Sequence, residues 1–402
     1  MPVARTCHSR FKLPLDIDNT TTGDISKQSN TTKLLRAAKL IIWDEASMAK
    51  RQAIEAVDKM LKDIMETDLP FGAKVIVFGG DFRQVLPVVP KKRREEQIDA
   101  SLVRSKVWPT LQKIKLCEIM RAKSDPQFCE FLLRIGNETE SQTINDMVKL
   151  PPSMIVPYID ETTSRNTLIK SVFPNLNMAA IDPNVIINHA ILKPKYQSVD
   201  DINKILIEKF PGNAIIYHSF DKIIDPIAQE HHEDFLNSLT LNGLPPHTLV
   251  LKLNCPVILL RNINPSKGLC NGTRLIRRRL DKDVIDAEIV VGYQCGKRVY
   301  IPRIPLQPSK SDKFPIPFRR TQFPIRLCFA MSINKAQGQN LEKVGIYLPQ
   351  PVFSHGQLYV ALSRAKIAKA VKILIKPHST ETTDYYTKNV VYKEILTESA
   401  KN

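Results

Sequence analysis

Two adjacent carboxylates at the end of an apolar run are the first residues in this sequence that could do chemistry. In Ile41-Ile42-Trp43-Asp44-Glu45-Ala46-Ser47-Met48 an apolar strand delivers Asp44 and Glu45 at its end. That is the form of a Walker B element. One carboxylate helps hold Mg²⁺ on a nucleotide, and the next can position and deprotonate an attacking water. The same residues also suit a strand followed by a helix cap, with Asp44 or Ser47 satisfying free backbone amides. A second string, from Val75 to Val89, runs through Gly79-Gly80-Asp81-Phe82-Arg83-Gln84-Val85-Leu86-Pro87. Gln84 lies just past a strand expected to neighbour the Asp44 strand, where a neutral amide could sense a γ-phosphate or its attacking water. A tight turn followed by an exposed loop is the alternative, and it does not account for the whole string.

These residues need strands and helices to position them. β-Rich runs end in polar or glycine-containing loops at 40–43, 74–78, 190–192, 257–260 and 344–348. The stretch from Lys50 to Glu66 reads as a helix, with Ile54, Val57, Leu61 and Ile64 at three- and four-residue spacing. Apolar strands alternating with such helices indicate an α/β fold with a parallel sheet buried on both faces. Ligands then sit at the C-terminal ends of the strands. Asp44-Glu45 and Gly79-Gly80-Asp81 both occupy such ends. From about Lys252 to Pro324 short β segments at 255–260, 274–278, 288–291 and 298–301 alternate with turn residues, which suits a small inserted β-barrel. The basic run Lys91-Lys92-Arg93-Arg94 reads as a solvated loop, with a nuclear signal or DNA contact as the alternative.

Bulk properties narrow the partners. A chain of 402 residues is long enough for two or three domains. Lys and Arg outnumber Asp and Glu by 58 to 41, and the resulting +17 draws a protein toward polyanions, nucleic acid foremost and a membrane surface second. No run approaches the roughly 20 apolar residues that a membrane span needs, so no membrane association is expected. Met1-Pro2-Val3-Ala4-Arg5 has no apolar segment of signal-peptide length, so secretion is not expected either. Seven cysteines without a CxxC pair fit a reducing compartment better than disulfides or zinc.

Seven segments taken in order are more specific than any one of them. Thr6-Cys7-His8-Ser9-Arg10-Phe11, Trp43-Asp44-Glu45-Ala46-Ser47, the Gly79–Val89 string, Leu116-Cys117-Glu118-Ile119-Met120-Arg121 and Asn271-Gly272-Thr273-Arg274 are followed by Ser332–Gln339 and Tyr359–Ala365. The set resembles the Pif (petite-integration-frequency) helicases, superfamily-one motors related to RecD, from about residue 5 to about 375. The wording is closest to the branch found in Helitron transposons and expanded plant-like sets, at Leu259–Asn264, Gly268–Arg274 and Pro351–Tyr359. The resemblance implies two RecA-like parallel-sheet domains, the first one incomplete, with a small SH3-like β-barrel inserted in the second. It divides the chain into a partial first domain (1–125), a helical connection (126–185), the first part of the second domain (186–254), the β insertion (255–322), the last part of the second domain (323–380) and a tail (381–402).

The resemblance also assigns roles. Asp44 would be the Mg²⁺-linked carboxylate, holding the ion indirectly, and Glu45 the catalytic one, with Gln84 as the γ-phosphate sensor. Arg121 and Arg364 would be arginine fingers reaching across the cleft between the two RecA-like domains, planar cations suited to charge spread over phosphoryl oxygens. Gly338 and Gln339 would lie where the second domain meets nucleotide and DNA. Thr6, His8, Ser9 and Lys335 would contact the single strand. Blander roles stand beside these: a surface salt bridge for Arg364, capping or packing for His8, core positions for Phe11 and Trp43. The implied cofactors are ATP and Mg²⁺. The implied partners are single-stranded and forked or structured DNA, with the chain a monomer serving the nuclear or the mitochondrial genome.

No GxxxxGK[ST] occurs in the 402 residues. In the family this loop precedes the Thr6–Phe11 segment, so the sequence is expected to be truncated at its N-terminus. Such a loop cradles the β- and γ-phosphates and completes the Mg²⁺ shell. Two readings follow: an ATP-driven 5′-to-3′ DNA helicase, impaired as an ATPase in this form, or a remnant that binds single-stranded DNA and hydrolyses nothing. A fragment that does not fold is a distant third. The first domain's sheet is expected to leave apolar surface uncovered.

Overall fold

The computed structural model describes all residues except 1–5, 15–16, 19–24, 90–91, 141–145, 196–198, 225–232, 240, 242, 293, 309–316, 378–384 and 402. The chain forms two compact units. One holds the stretch ending at Lys149, Pro351–Ser363 and the stretch from Tyr386 onward; the other holds Leu150–Gln350 and Arg364–Tyr385.

The unit that carries Asp44 is built on helix α1 (Cys7–Phe11), strand β1 (Leu40–Trp43), helix α2 (Arg51–Met65) and strand β2 (Val75–Phe78). The strands pair in parallel, Leu40 opposite Val75 and Trp43 opposite Phe78, so that α2 is the crossover between them. Alternation then sorts the side chains. Ile41, Trp43, Ile76 and Phe78 face Ile54, Val57, Leu61 and Ile64 of α2 in one core. Phe11 stacks on Trp43 at 6.0 Å and 22°, which makes both aromatic rings core residues. On the opposite face Leu40 (50%), Ile42 (47%), Val75 (62%) and Val77 (49%) are exposed. The uncovered apolar surface expected of this sheet is therefore present.

The other unit contains a four-stranded parallel sheet and a five-stranded antiparallel one. Its strands are β3 (His189–Lys193), β4 (Pro256–Leu259), β5 (Arg274–Leu280), β6 (Val284–Ile289), β7 (Arg298–Pro302), β8 (Ile325–Leu327), β9 (Ala330–Ser332), β10 (Lys343–Leu348) and β11 (Val371–Ile375). The parallel order is β9-β3-β10-β11, and the antiparallel order is β7-β6-β5-β4-β8. Leu168 and Val172 of helix Glu161–Val172 and Leu206 of helix Val199–Lys209 pack with Ile191, and the same core takes in Val257, Leu259, Leu275 and Ile285 of the antiparallel sheet. The α/β fold with parallel sheets expected from the sequence is observed.

Three boundaries differ from the sequence reading. The expected connection 126–185 is divided between the units at Lys149 and Leu150. The expected tail 381–402 contains a strand, Tyr386–Lys388, paired antiparallel with Met147–Lys149, and a helix, Lys393–Ala400, whose Ile395 is fully buried beside Tyr392 and Ile98. Pro351–Ser363 belongs to the Asp44 unit although residues on either side of it belong to the other. Each difference reflects contacts between residues hundreds of positions apart, which local pattern does not encode.

Candidate functional site

The carboxylate loop and the glycine loop are fastened together at the ends of their strands. Gly79 N–H donates to Trp43 O, and Ala46 N–H donates to Gly79 O, each at 2.8 Å, so the β1–β2 pairing continues into both loops. Asp44 is exposed and Glu45 half-buried. Asp44 Oδ1 accepts from Glu45 N–H at 2.9 Å, and a Cβ at Gly79 would lie 3.5 Å from that oxygen. Glu45 sits at φ 52, ψ 38, a left-handed conformation that costs energy for a non-glycine residue and that clusters at functional sites. At Gly80 a Cβ would come within 2.9 Å of Ser47 N, so only glycine allows this approach.

The segment after the glycine pair is held by side chains from 351–363. Asp81 accepts from Arg83 N–H at 3.0 Å through Oδ1 and from the Tyr359 hydroxyl at 3.0 Å through Oδ2. Gly356, at φ +71, lies so close to Arg83 and Gln84 that a Cβ would meet Arg83 O at 2.4 Å. His355 is fully buried and bridges two backbone groups, with Nε2 2.7 Å from Phe82 O and Nδ1 accepting from Tyr392 N–H at 2.8 Å. That pattern fixes the Nε2–H tautomer, and burial holds the ring below its ordinary pKa. These contacts set the position of Gln84, whose Oε1 is buried with no hydrogen-bond partner among the described residues. Ser47 Oγ is in the same condition. Orphaned buried polar atoms such as Ser47 Oγ, three residues from the exposed Asp44, mark a place where a polar ligand or ordered water completes the bonding. Asp44, exposed at the end of its strand, is the carboxylate of this loop open to a cation.

Arg121 belongs to the same unit. One Nη donates to Ser363 O at 2.8 Å. Burial lowers its pKa, and the Tyr359 and Glu45 side chains, close enough to act electrostatically, oppose that shift. Thr6 and Ser9 have a local structural use: the Thr6 hydroxyl caps α1 by accepting from Ser9 N–H at 3.4 Å. His8 Nδ1 lies 3.3 Å from Cys7 Sγ, and burial followed by the Lys50 charge lowers its pKa. In the basic run, Arg94 pairs with Glu394 at 2.8 Å and Lys92 with Glu96 at 2.6 Å, so both cations are neutralised locally; Lys91 lies outside the described residues.

The other candidates lie in the second unit. Lys335 is on the short helix α3 (Ile333–Ala336), and its ammonium donates to Asn271 Oδ1 at 3.2 Å. Burial, then the Arg261 and Arg326 charges, lower its pKa. Gln339 Nε2 donates to Lys335 O at 3.1 Å. Arg364 is 1% exposed and donates to Ala336 O at 3.4 Å and Gln339 O at 3.3 Å. It is therefore no surface salt-bridge residue; it braces the turn that carries Gly338 and Gln339.

Sequence reasoning did not assign roles to Asp81, His355 or Tyr359. All three stand within the quoted strings, but only their contacts in the fold show that they position Gln84. Among the described residues no group of three or more His, Cys, Asp or Glu could hold a metal, and no helix is long and apolar enough to cross a membrane.

Comparison with known proteins adds a family. The description "PIF1-like helicase" matches residues 1–146, and "DNA helicase Pif1, 2B domain" matches 234–280. Over these stretches the chain is similar to the PIF1-like helicases. ATP-dependent DNA helicase PIF1 of Danio rerio is 24% identical over 87% of this chain and 48% of its own length. ATP-dependent DNA helicase RRM3 of Saccharomyces cerevisiae is 24% identical over 90% and 55%. Pif1 of Bdellovibrio bacteriovorus is 25% identical over 92% and 74%. The chain thus spans about half the length of the first of these curated relatives. Among solved structures, Bacteroides Pif1 in complex with ADP-AlF3 and ssDNA shares the fold, with a TM-score of 0.66 at 22% identity over 97% of this chain and 82% of that one. Bacteroides Pif1 bound to ssDNA gives 0.63 at 23% identity over 92% and 78%.

Proposed function

We propose that this chain is the motor portion of an ATP-dependent 5′-to-3′ DNA helicase of the Pif type, using ATP and Mg²⁺ on single-stranded and forked DNA. The observation that carries this reading is the joined pair of loops, which ends the two parallel strands on Asp44-Glu45 and on Gly79-Gly80-Asp81, with Gln84 Oε1 further along the second loop buried and without a partner among the described residues. Asp44 would hold Mg²⁺, which neutralises phosphate charge when bound. Glu45 takes a proton from water as that oxygen bonds to the γ-phosphorus, and the bond to ADP breaks with its electron pair. Gln84 orients the water. Arg121, near Glu45 in charge terms, offsets negative charge on the phosphoryl oxygens. Arg364 is a second such cation in this reading and holds Gly338 and Gln339 in place. Thr6, His8, Ser9 and Lys335 form the single-strand contacts, and the antiparallel sheet is the SH3-like insertion. A monomeric motor of the Helitron and plant-like branch, nuclear or mitochondrial, would serve DNA repair, recombination, telomere maintenance or transposition.

A second reading is favoured by one observation: no GxxxxGK[ST] lies in the 402 residues. By themselves these residues would bind single-stranded DNA and hydrolyse ATP poorly or not at all. Single-stranded-DNA-stimulated ATP hydrolysis by the 402-residue chain, beside Glu45→Gln and Arg121→Ala, separates the two. Activity that falls roughly 10²–10⁴-fold in Glu45→Gln establishes the motor. DNA binding without any ATPase establishes the remnant.

A further inference from the structure

Two guanidiniums deep in the second unit, Arg274 and Arg277, have no carboxylate partner among the described residues, and of the two only Arg274 borders a cavity. Arg274, the first residue of β5, is 2% exposed. It donates through Nη2 to His189 O at 3.3 Å, and the Cys328 thiol is within its hydrogen-bonding reach. Its Nε–H has no partner, and it has no carboxylate partner among the described residues. A guanidinium withdrawn from water without a carboxylate is costly, and an anionic ligand that reaches it relieves that cost. The contrast within this unit is Arg320, equally buried, whose Nε and Nη atoms bind Asp221 and three backbone carbonyls.

Arg274 forms part of the wall of a cavity of about 460 Å³, the size of a small-ligand site. Lys366, exposed, lines the same cavity, as do Asn188, Gly272, Gln339 and Glu342. Nothing lies within 4 Å of the Cβ position at Gly272, so a ligand can approach the main chain there. Glu342 is the one opposing charge, and its carboxylate already accepts from Asn188 Nδ2 at 3.2 Å. Two cations against one engaged carboxylate leave the cavity positive.

We infer that this cavity takes a phosphate group, bound by Arg274 with Lys366. The phosphate is either a phosphodiester of the single strand or that of a free nucleotide. The strand source rests on the DNA-binding reading above, since Lys335 bonds to Asn271, the neighbour of Gly272. Arg274 is then a ligand-binding residue held in a strained electrostatic state, and the fold is more stable without its charge.

The test measures labelled oligo-dT binding across a salt series for the 402-residue chain and for Arg274→Met, Arg274→Lys and Lys366→Ala. Thermal unfolding of each is followed with and without millimolar dTMP. For the strand source, Arg274→Met and Lys366→Ala each lower the salt slope by roughly 0.7 per lost phosphate contact. Lys366→Ala keeps its unfolding midpoint and Arg274→Met raises it, while Arg274→Lys keeps the slope. For the free-nucleotide source, dTMP raises the wild-type midpoint, not that of Arg274→Met, and salt slopes stay equal. The inference is overturned if slopes are equal and dTMP protects nothing, or if Arg274→Met is less stable with unchanged binding. Should Arg274→Met not fold, an unchanged slope in Lys366→Ala without dTMP protection overturns it as well. Wild-type chain that ignores oligo-dT yet is protected by dTMP sinks the DNA reading and leaves the phosphate site standing.

Discussion

The two parallel sheets share a sequence texture and differ in what covers them. In β10, every residue from Val344 to Leu348 is buried, and Leu168 and Val172 of the helix Glu161–Val172 lie against Gly345. In β1 and β2, the paired residues Leu40, Val75, Ile42 and Val77 face outward from about half to nearly two thirds exposed. An apolar β-branched strand therefore does not report its own burial. The covered sheet holds its strands by excluding water on both faces; the smaller sheet has that support on one face only and must rely on α2.

The difference can be sharpened by substitutions on matched positions. Ile346→Ala, at a site with no exposure, is expected to cost about 2–5 kcal/mol by denaturant titration, since little can collapse into the space left. A loss below about 1 kcal/mol would mean that the covered sheet is not the tighter one.

The next effect is a pH dependence at the start of β3. Burial, then the Lys343 charge, lowers the His189 pKa from 6.5 to about 4, with Arg274 adding to the shift and Glu342 opposing it. The folded chain thus keeps a neutral ring where the unfolded chain takes up a proton. Stability from this group is complete above 6.5 and is lost as pH falls toward about 4. Unfolding curves at several pH values should show a shallower loss in His189→Asn than in the native chain. Equal slopes would remove His189 from the account.

The smallest effect tests the open face. Ile42→Thr keeps the β-branch, removes exposed apolar surface, and should change stability by no more than about 0.5 kcal/mol. Light scattering should show less self-association for this variant. A penalty as large as that of Ile346→Ala would show that the face is covered in solution and would break the comparison.

Much of this was legible in the chain itself. The Ile54, Val57, Leu61 and Ile64 stripe sits on a helix within one residue of each expected end, because a helix must repeat its apolar face at that spacing. The carboxylates lie at the end of β1 and the glycine pair at the end of β2, as apolar runs followed by turn residues require. The alternative of a helix cap at Asp44 has a faint echo, since Asp44 Oδ1 does accept a backbone amide, from Glu45.

What the sequence by itself determined is the set of elements and the chemical types at their ends, since strand and helix periods and turn preferences are local properties. Only the tertiary structure decided which distant segments share a unit. It alone brought Tyr359, His355 and Gly356 onto the Asp81–Gln84 loop and turned Arg364 inward onto the Gly338 turn. It alone left one guanidinium satisfied at Arg320 and another unsatisfied at Arg274. The physical reason is that hydrogen-bond geometry and desolvation depend on what arrives from elsewhere in the chain, and no local pattern carries that information.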